Sequence, residues 1–228
     1  MIIAERKPFA EIAAAVAPYE KILILGCGTC VAVCLVGGEK EVGLLASQLK
    51  LAAGLRGRHL EVGEITVERQ CDLEFIQPLC DFIADYDCII SMACGAGVQD
   101  LGQLCYMKPI FPAVNTSFIG VNLEAGHYAE RCLACNHCYL GVTGGICPVT
   151  MCPKGLLNGP CGGMFNGRCE VNPENTCAWC DIFYRLERQG RLEQFQGILP
   201  LHPYQKRTTP GKVIHPAYKR RYGAHEQA

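Results

Sequence analysis

The 228-residue chain has a single tryptophan, a net charge of only −1, and none of the motifs HExxH, GxSxG or the phosphate-binding loop. It is therefore poor in recognisable catalytic groups. No apolar run reaches the roughly 18 residues that a membrane-spanning helix requires, so no span is expected. The near-zero charge favours neither nucleic acid nor a membrane surface as partner. The opening MIIAERKPFAEIAAAV carries charges where a secretory signal needs an apolar core, so a cytoplasmic location is expected. The charge is uneven: residues 206–228 sum to +5 and the remainder to −6.

Cysteine, by contrast, is abundant. There are seventeen, an odd number, so disulfides could not pair them all within the chain. In a reducing compartment such a count reads as metal ligands or redox groups. Nine of them fall in the 49 residues CLACNHCYLGVTGGICPVTMCPKGLLNGPCGGMFNGRCEVNPENTCAWC, 132–180. Glycines and prolines separate them and long apolar runs are few. Thiolate ligation of metal is what would offset the ordering entropy of so irregular a segment.

Upstream, strand and helix patterns alternate. Phe9, Ile12, Ala13 and Val16 have helical spacing. KILIL, 21–25, reads as a buried parallel strand. GCGTCVAVCLVGG turns into a second helix, whose packed face is Val42, Leu45, Ala46, Leu49 and Ala52 and which Gly54 and Gly57 end. EITVE, 64–68, DCIISMA, 87–93, and IFPAVNT, 110–116, supply further strands, with helical crossovers around 73–83 and GVQDLGQLCYM between them. The expected class is α/β: a flavodoxin- or Rossmann-like open parallel sheet, followed by an irregular cysteine-rich metal-binding module. The expected division is 1–130 for the sheet domain, 131–186 for the module, and 187–228 for a helical end and basic tail.

Ligands of such sheets sit beyond the carboxyl ends of the strands. Cys27, Cys30 and Cys34 follow the first strand, Cys71 the second and Cys94 the third. If the first and third strands are neighbours, Cys94 completes a four-thiolate site with Cys27, Cys30 and Cys34, and Cys71 is the competing fourth ligand. Cys80, Cys88 and Cys105 lie inside helix or strand patterns and read as small buried hydrophobes. Gly26 and Gly28 supply two of the three glycines of a dinucleotide fingerprint, but Val31 takes the third position and no acid closes a second strand about 20 residues on. Thiols occupy the turn where phosphate would lie.

In the module, Cys132-x2-Cys135-x2-Cys138 opens like a ferredoxin run, although its Cys-Pro, Cys147-Pro148, comes nine residues on instead of four. Cys152-Pro153, Cys161, Cys169 and Cys177-x2-Cys180 follow. Three closely spaced thiolates can hold three corners of a [4Fe-4S] cube, whereas zinc ribbons use pairs. The sets add up to two to three [4Fe-4S] clusters, with zinc as the alternative at the Cys161–Cys180 group. His127 and His137 lie near the triplet and read as bystanders. Lys154 reads as a surface lysine beside a site, and Trp179, between two cysteines, as a shield. The tail, with Tyr204, Tyr218 and Tyr222 among its basic residues, reads as a solvated segment or as an arm lying on an acidic partner.

The motifs GCGTCVAVC, GGEKEV, SMACGAGVQ, CLACNHC, CPVTMCPKGLLNGPCGG, GRCEV and CAWCDIF resemble those of the MetV family, from about Ile22 to Leu186. That family is related to the so-called C-terminal domain of methylenetetrahydrofolate reductase. The resemblance implies an iron–sulfur subunit, itself non-catalytic, in complex with a flavin-bearing MetF-type reductase subunit of Wood–Ljungdahl-type one-carbon metabolism. A further subunit would bring in electrons. Two functions are therefore expected to compete: an electron-transfer subunit that feeds the partner's flavin, and a zinc-bearing structural or methyl-handling module of the same complex. A brown protein bleached by dithionite favours the first, and a colourless zinc protein the second.

Overall fold

A computed structural model of the chain describes residues 1–202, 211, 213–218 and 221. It is a mixed α/β structure with two sheets. In chain order the elements are β1 (Ile2–Arg6), α1 (Phe9–Ala15), β2 (Lys21–Cys27), α2 (Cys30–Val33), α3 (Glu39–Leu55), β3 (Glu61–Val67), α4 (Leu73–Ile76), α5 (Cys80–Ala84), β4 (Cys88–Ser91), α6 (Gly95–Leu104), β5 (Ile110–Pro112), β6 (Val114–Glu124), β7 (His127–Cys132), α7 (Pro148–Met151) and α8 (Ala178–Arg188).

Four strands form a parallel sheet in the order β3-β2-β4-β5. The first and third strands of the parallel series, β2 and β4, are indeed neighbours. β2 shows why the apolar run is continuous instead of alternating. Ile22 and Ile24 pack with Val42, Leu45, Ala46 and Leu49 of α3 and with Ile12 and Val16 from α1 and its end. Leu23 and Leu25 face the other way, onto Ile83, Tyr86 and Leu101. With helices on both faces, the buried residues 22–25 of the strand are all apolar. Helix α3 starts at Gly38, whose N–H is accepted by the Glu41 carboxylate at 3.0 Å, and Glu39 and Glu41 suit the positive end of its dipole. Just before it, Gly37 is required by close approach: a Cβ there would stand 2.1 Å from the Met92 carbonyl oxygen.

The second sheet is antiparallel, in the order β1-β6-β7. It is additional to the expected parallel sheet. The expected strand 110–116 is divided between the sheets: β5 stops at Pro112 and β6 begins at Val114. β6 is mostly exposed, and Gly120 and polar residues interrupt its apolar ones, so it carries no long apolar run to announce it. Strand β7 runs across the expected boundary at 130/131 and ends on Cys132, the first thiol of the triplet. Ala4 of β1 and Val114 of β6 meet Cys27, Val31 and Ala93 in one small core, which ties this sheet to the carboxyl edge of the parallel one. No helix among the described residues is long and apolar enough to cross a membrane.

Beyond β7 the chain has little regular structure until α8. Trp179, Ile182 and Leu186 of α8 bury one stripe against Ile146, Cys152 and Phe195, and Cys177, the cap of α8, joins them. The Trp179 indole N–H donates to the Leu156 carbonyl at 2.9 Å, and Asn158 exchanges two hydrogen bonds with the backbone of Leu199, at 2.9 and 2.7 Å. The module thus has a small core of its own, built on the amphipathic face of one helix.

Candidate metal centres

All seventeen cysteines carry free thiols. They fall into three neighbourhoods, plus three outlying side chains.

The first neighbourhood is the carboxyl edge of the parallel sheet. Cys27 is the last residue of β2, Cys30 the first of α2, and Cys94 the cap residue between β4 and α6. Cys71 lies in the loop between β3 and α4. Gln70, fully buried, fixes that loop: its amide N–H donates to the Leu25 and Gly26 carbonyls at 2.7 and 3.0 Å, and its amide oxygen accepts from the Ser91 hydroxyl at 2.7 Å. Partial burial pushes the Cys71 thiol up, and its neighbours Cys94, Cys27 and Cys30 push the same way. The Cys27 sulfur is 3.8 Å from the Glu68 carbonyl of the same loop. Cys34, at the far end of α2, is buried and donates to the Ile2 carbonyl of β1 at 3.6 Å. Burial is the main cause of its own upward shift.

The second neighbourhood is the triplet Cys132, Cys135 and Cys138. Ala134 and Asn136, between these cysteines, have φ of 50° and 64°. Two non-glycine residues in the left-handed region within three positions mark a constrained loop. The Ala134 N–H donates to the Cys132 sulfur at 3.3 Å. His137 and Tyr139 pack ring to ring beside the triplet, and His202 reaches the same cluster from the chain end. The buried Tyr139 hydroxyl has no hydrogen-bond partner among the described residues. Cys147 caps α7, with its thiol 3.5 Å from the Thr150 hydroxyl.

The third neighbourhood is a cavity of about 20 Å³ lined by four thiols, Cys152, Cys161, Cys169 and Cys177, under the Trp179 ring. Lys154 and Glu170 also line it and pair with each other. Cys161 faces the Glu170 carboxylate at 3.6 Å. Cys180 lies beside Cys177; burial first, then the hydrogen bond to Cys177, push its thiol up to about 11. Sequence spacing did not single out this set of four. It draws one thiol from each of four separate turns, and only the fold collects them.

Of the outlying three, Cys88 is fully buried in β4 and burial pushes it up to about 12. Cys80 and Cys105 lie half-buried beside each other. His127 is exposed and faces Glu124 at 3.4 Å. Tyr218 is half exposed, while Tyr204, Tyr222 and every tail Lys or Arg except Arg221 lie outside the described residues.

The donor chemistry of the three neighbourhoods suits soft metals, since thiolate is the preferred ligand of both zinc and iron–sulfur clusters. Among the described residues, no group of three or more His, Cys, Asp or Glu side chains is arranged to hold a metal ion.

Fold and thiols together define a cysteine-rich α/β protein with candidate metal sites on a sheet edge and in a following module. Residues 111–205 match a family model described as methylene-tetrahydrofolate reductase C terminal. The matched stretch contains the hairpin β6–β7, the triplet and the four-thiol cavity, and it relates this part of the chain to that reductase. No curated protein matches, and no solved structure does.

Proposed function

We propose that this chain is the iron–sulfur electron-transfer subunit of a cytoplasmic methylenetetrahydrofolate reductase complex, non-catalytic by itself, serving the flavin of a MetF-type partner. The observation that carries the reading is that nine thiols, including a four-thiol cavity, fall inside the stretch matched to the reductase family.

On this reading the sheet edge and the triplet, with Cys147 as the next thiol, would each hold a [4Fe-4S] cluster. The cavity of Cys152, Cys161, Cys169 and Cys177 would hold zinc, since about 20 Å³ suits one ion better than a four-iron cube. Bound clusters supply single electrons, which a flavin accepts one at a time. The chain's own residues do the rest. The Ala134 N–H, already on the Cys132 sulfur, helps to orient it. Trp179 lines the cavity beside the four thiols. The +5 charge of residues 206–228 suits an acidic face of the partner, and a further subunit would bring the electrons in.

The test is anaerobic co-purification with a flavin-bearing reductase subunit, for the full chain and for a chain ending at residue 205. A stable complex is expected, weakened by truncation and by salt but with metal content unchanged. A full chain that never associates with a flavoprotein would sink the electron-transfer reading. A colourless complex with stoichiometric zinc alone would favour the zinc-bearing structural or methyl-handling role instead.

A further inference from the structure

We infer that Cys71, and not Cys34, is the thiolate that completes the sheet-edge site with Cys27, Cys30 and Cys94. The inference rests on the reading of that edge as a metal site and assigns its fourth ligand.

Position is the first argument. Strands β3, β2 and β4 are adjacent and parallel, so their carboxyl ends open onto one face. Cys71, Cys27 and Cys94 each lie just beyond or at one of those three ends, and Cys30 follows in the first turn after β2. Cys34 lies one helical turn further on. Its thiol is committed to the Ile2 carbonyl, in the other sheet, and is buried there.

Rigidity is the second. A ligand must be held near its productive position by the shell around it. Gln70, next to Cys71 in the chain, is bonded to the last turns of both β2 and β4 through Leu25, Gly26 and Ser91. The start of α6 closes on the same side chain: a Cβ at Gly97 would stand 2.8 Å from that of Gln70. On the other side of Cys71, Asp72 caps α4 by accepting from the Glu74 N–H at 3.3 Å and pairs with Arg69 at 3.7 Å. The loop is therefore fixed to β2, which ends on Cys27, and to β4, which Cys94 follows, while Cys71 itself is exposed.

The full chain, purified and reconstituted anaerobically with iron and sulfide, tests this in two ways. Cys71→Ser and Cys71→Ala should lose about four iron and four sulfide per chain, one cluster's share. Cys34→Ala should keep the full content, with far-ultraviolet circular dichroism confirming that each variant is folded. Independently, alkylation of the unmodified chain above about pH 9, mapped by mass spectrometry, should mark the exposed Cys71 before loading and at least about tenfold less after it. Loss of the share from Cys34→Ala with retention in Cys71→Ser overturns the inference, as does Cys71 alkylation that loading leaves unchanged. If Cys71→Ser instead removes one zinc and no iron, the ligand assignment stands and the iron–sulfur reading of the edge falls. If Cys27→Ser, Cys30→Ser and Cys71→Ser all leave both metals unchanged, both fall.

Discussion

Gln70→Leu is a severe test of the way the sheet edge is built. The substitution keeps the approximate shape of a fully buried side chain but removes three hydrogen bonds at once: two to the Leu25 and Gly26 carbonyls and one from the Ser91 hydroxyl. Each is worth about 1 kcal/mol net, and more where a buried group is stranded. The Leu25 carbonyl still accepts from the Met92 N–H at 2.9 Å, so part of the loss is cushioned. The added apolar burial offsets part of the rest. A net destabilisation of about 2–4 kcal/mol follows, a large share of the roughly 5–15 kcal/mol that holds a domain together. Ser91→Ala removes only the third bond and should cost about 1–2 kcal/mol. Because both changes share that bond, the double variant should fall short of the sum of the two by about 1 kcal/mol. Urea unfolding under anaerobic, reducing conditions, followed by circular dichroism, measures all three. A Gln70→Leu loss below about 1 kcal/mol, or strict additivity with Ser91→Ala, would refute the claim that this amide bolts the Cys71 loop to β2 and β4.

Three further outcomes are expected. Cys88, buried in β4, has its folded-state pKa raised to about 12 from an ordinary 9.0, so it stabilises the fold fully below about pH 9 and loses that contribution as pH rises toward 12; Cys88→Ala should therefore cost about 1 kcal/mol at pH 7 and progressively less above pH 9, and a cost that grows with pH would show the sign to be wrong. Gly37→Ala puts a Cβ 2.1 Å from the Met92 carbonyl oxygen and 2.6 Å from a Val31 methyl, so a loss of about 2–3 kcal/mol is expected in chemical denaturation, and near-neutrality would mean the loop yields freely. Trp179, the sole tryptophan, lies over the four-thiol cavity, so filling that cavity with cobalt(II), an absorbing stand-in for zinc, should quench its fluorescence about twofold or more; cobalt–thiolate absorbance without quenching would place the metal elsewhere.

Much of the parallel sheet was legible because burial on both faces leaves a strong mark. ILIL, 22–25, and CII, 88–90, are unbroken apolar runs, and both lie in central strands. The helix face Val42, Leu45, Ala46 and Leu49 repeats at a period that only a helix satisfies, and all four are core residues. The antiparallel sheet was not legible. IIAER is short, and β6 is exposed along most of its length, so neither produces a run or a sustained alternation. That omission matters at the sheet edge. Spacing alone groups Cys34 with Cys27 and Cys30. It is β1, unseen in the sequence, whose Ile2 carbonyl takes the Cys34 thiol. Gln70 was equally silent, since a glutamine in a polar loop looks like solvent-facing chain until two strand ends close over it. In the module the reverse holds. The cysteines announce themselves by type and number, but which of them meet depends on turns far apart in the chain, and Cys152, Cys161, Cys169 and Cys177 are neighbours through folding alone.

The most direct measurement is iron, acid-labile sulfide and zinc analysis of the full chain purified without exposure to air, together with its absorbance before and after dithionite. We expect a brown protein with about eight iron, about eight sulfide and about one zinc per chain, and a broad band near about 400 nm that bleaches on reduction. A colourless protein with zinc at every occupied site and no labile sulfide would contradict the electron-transfer account.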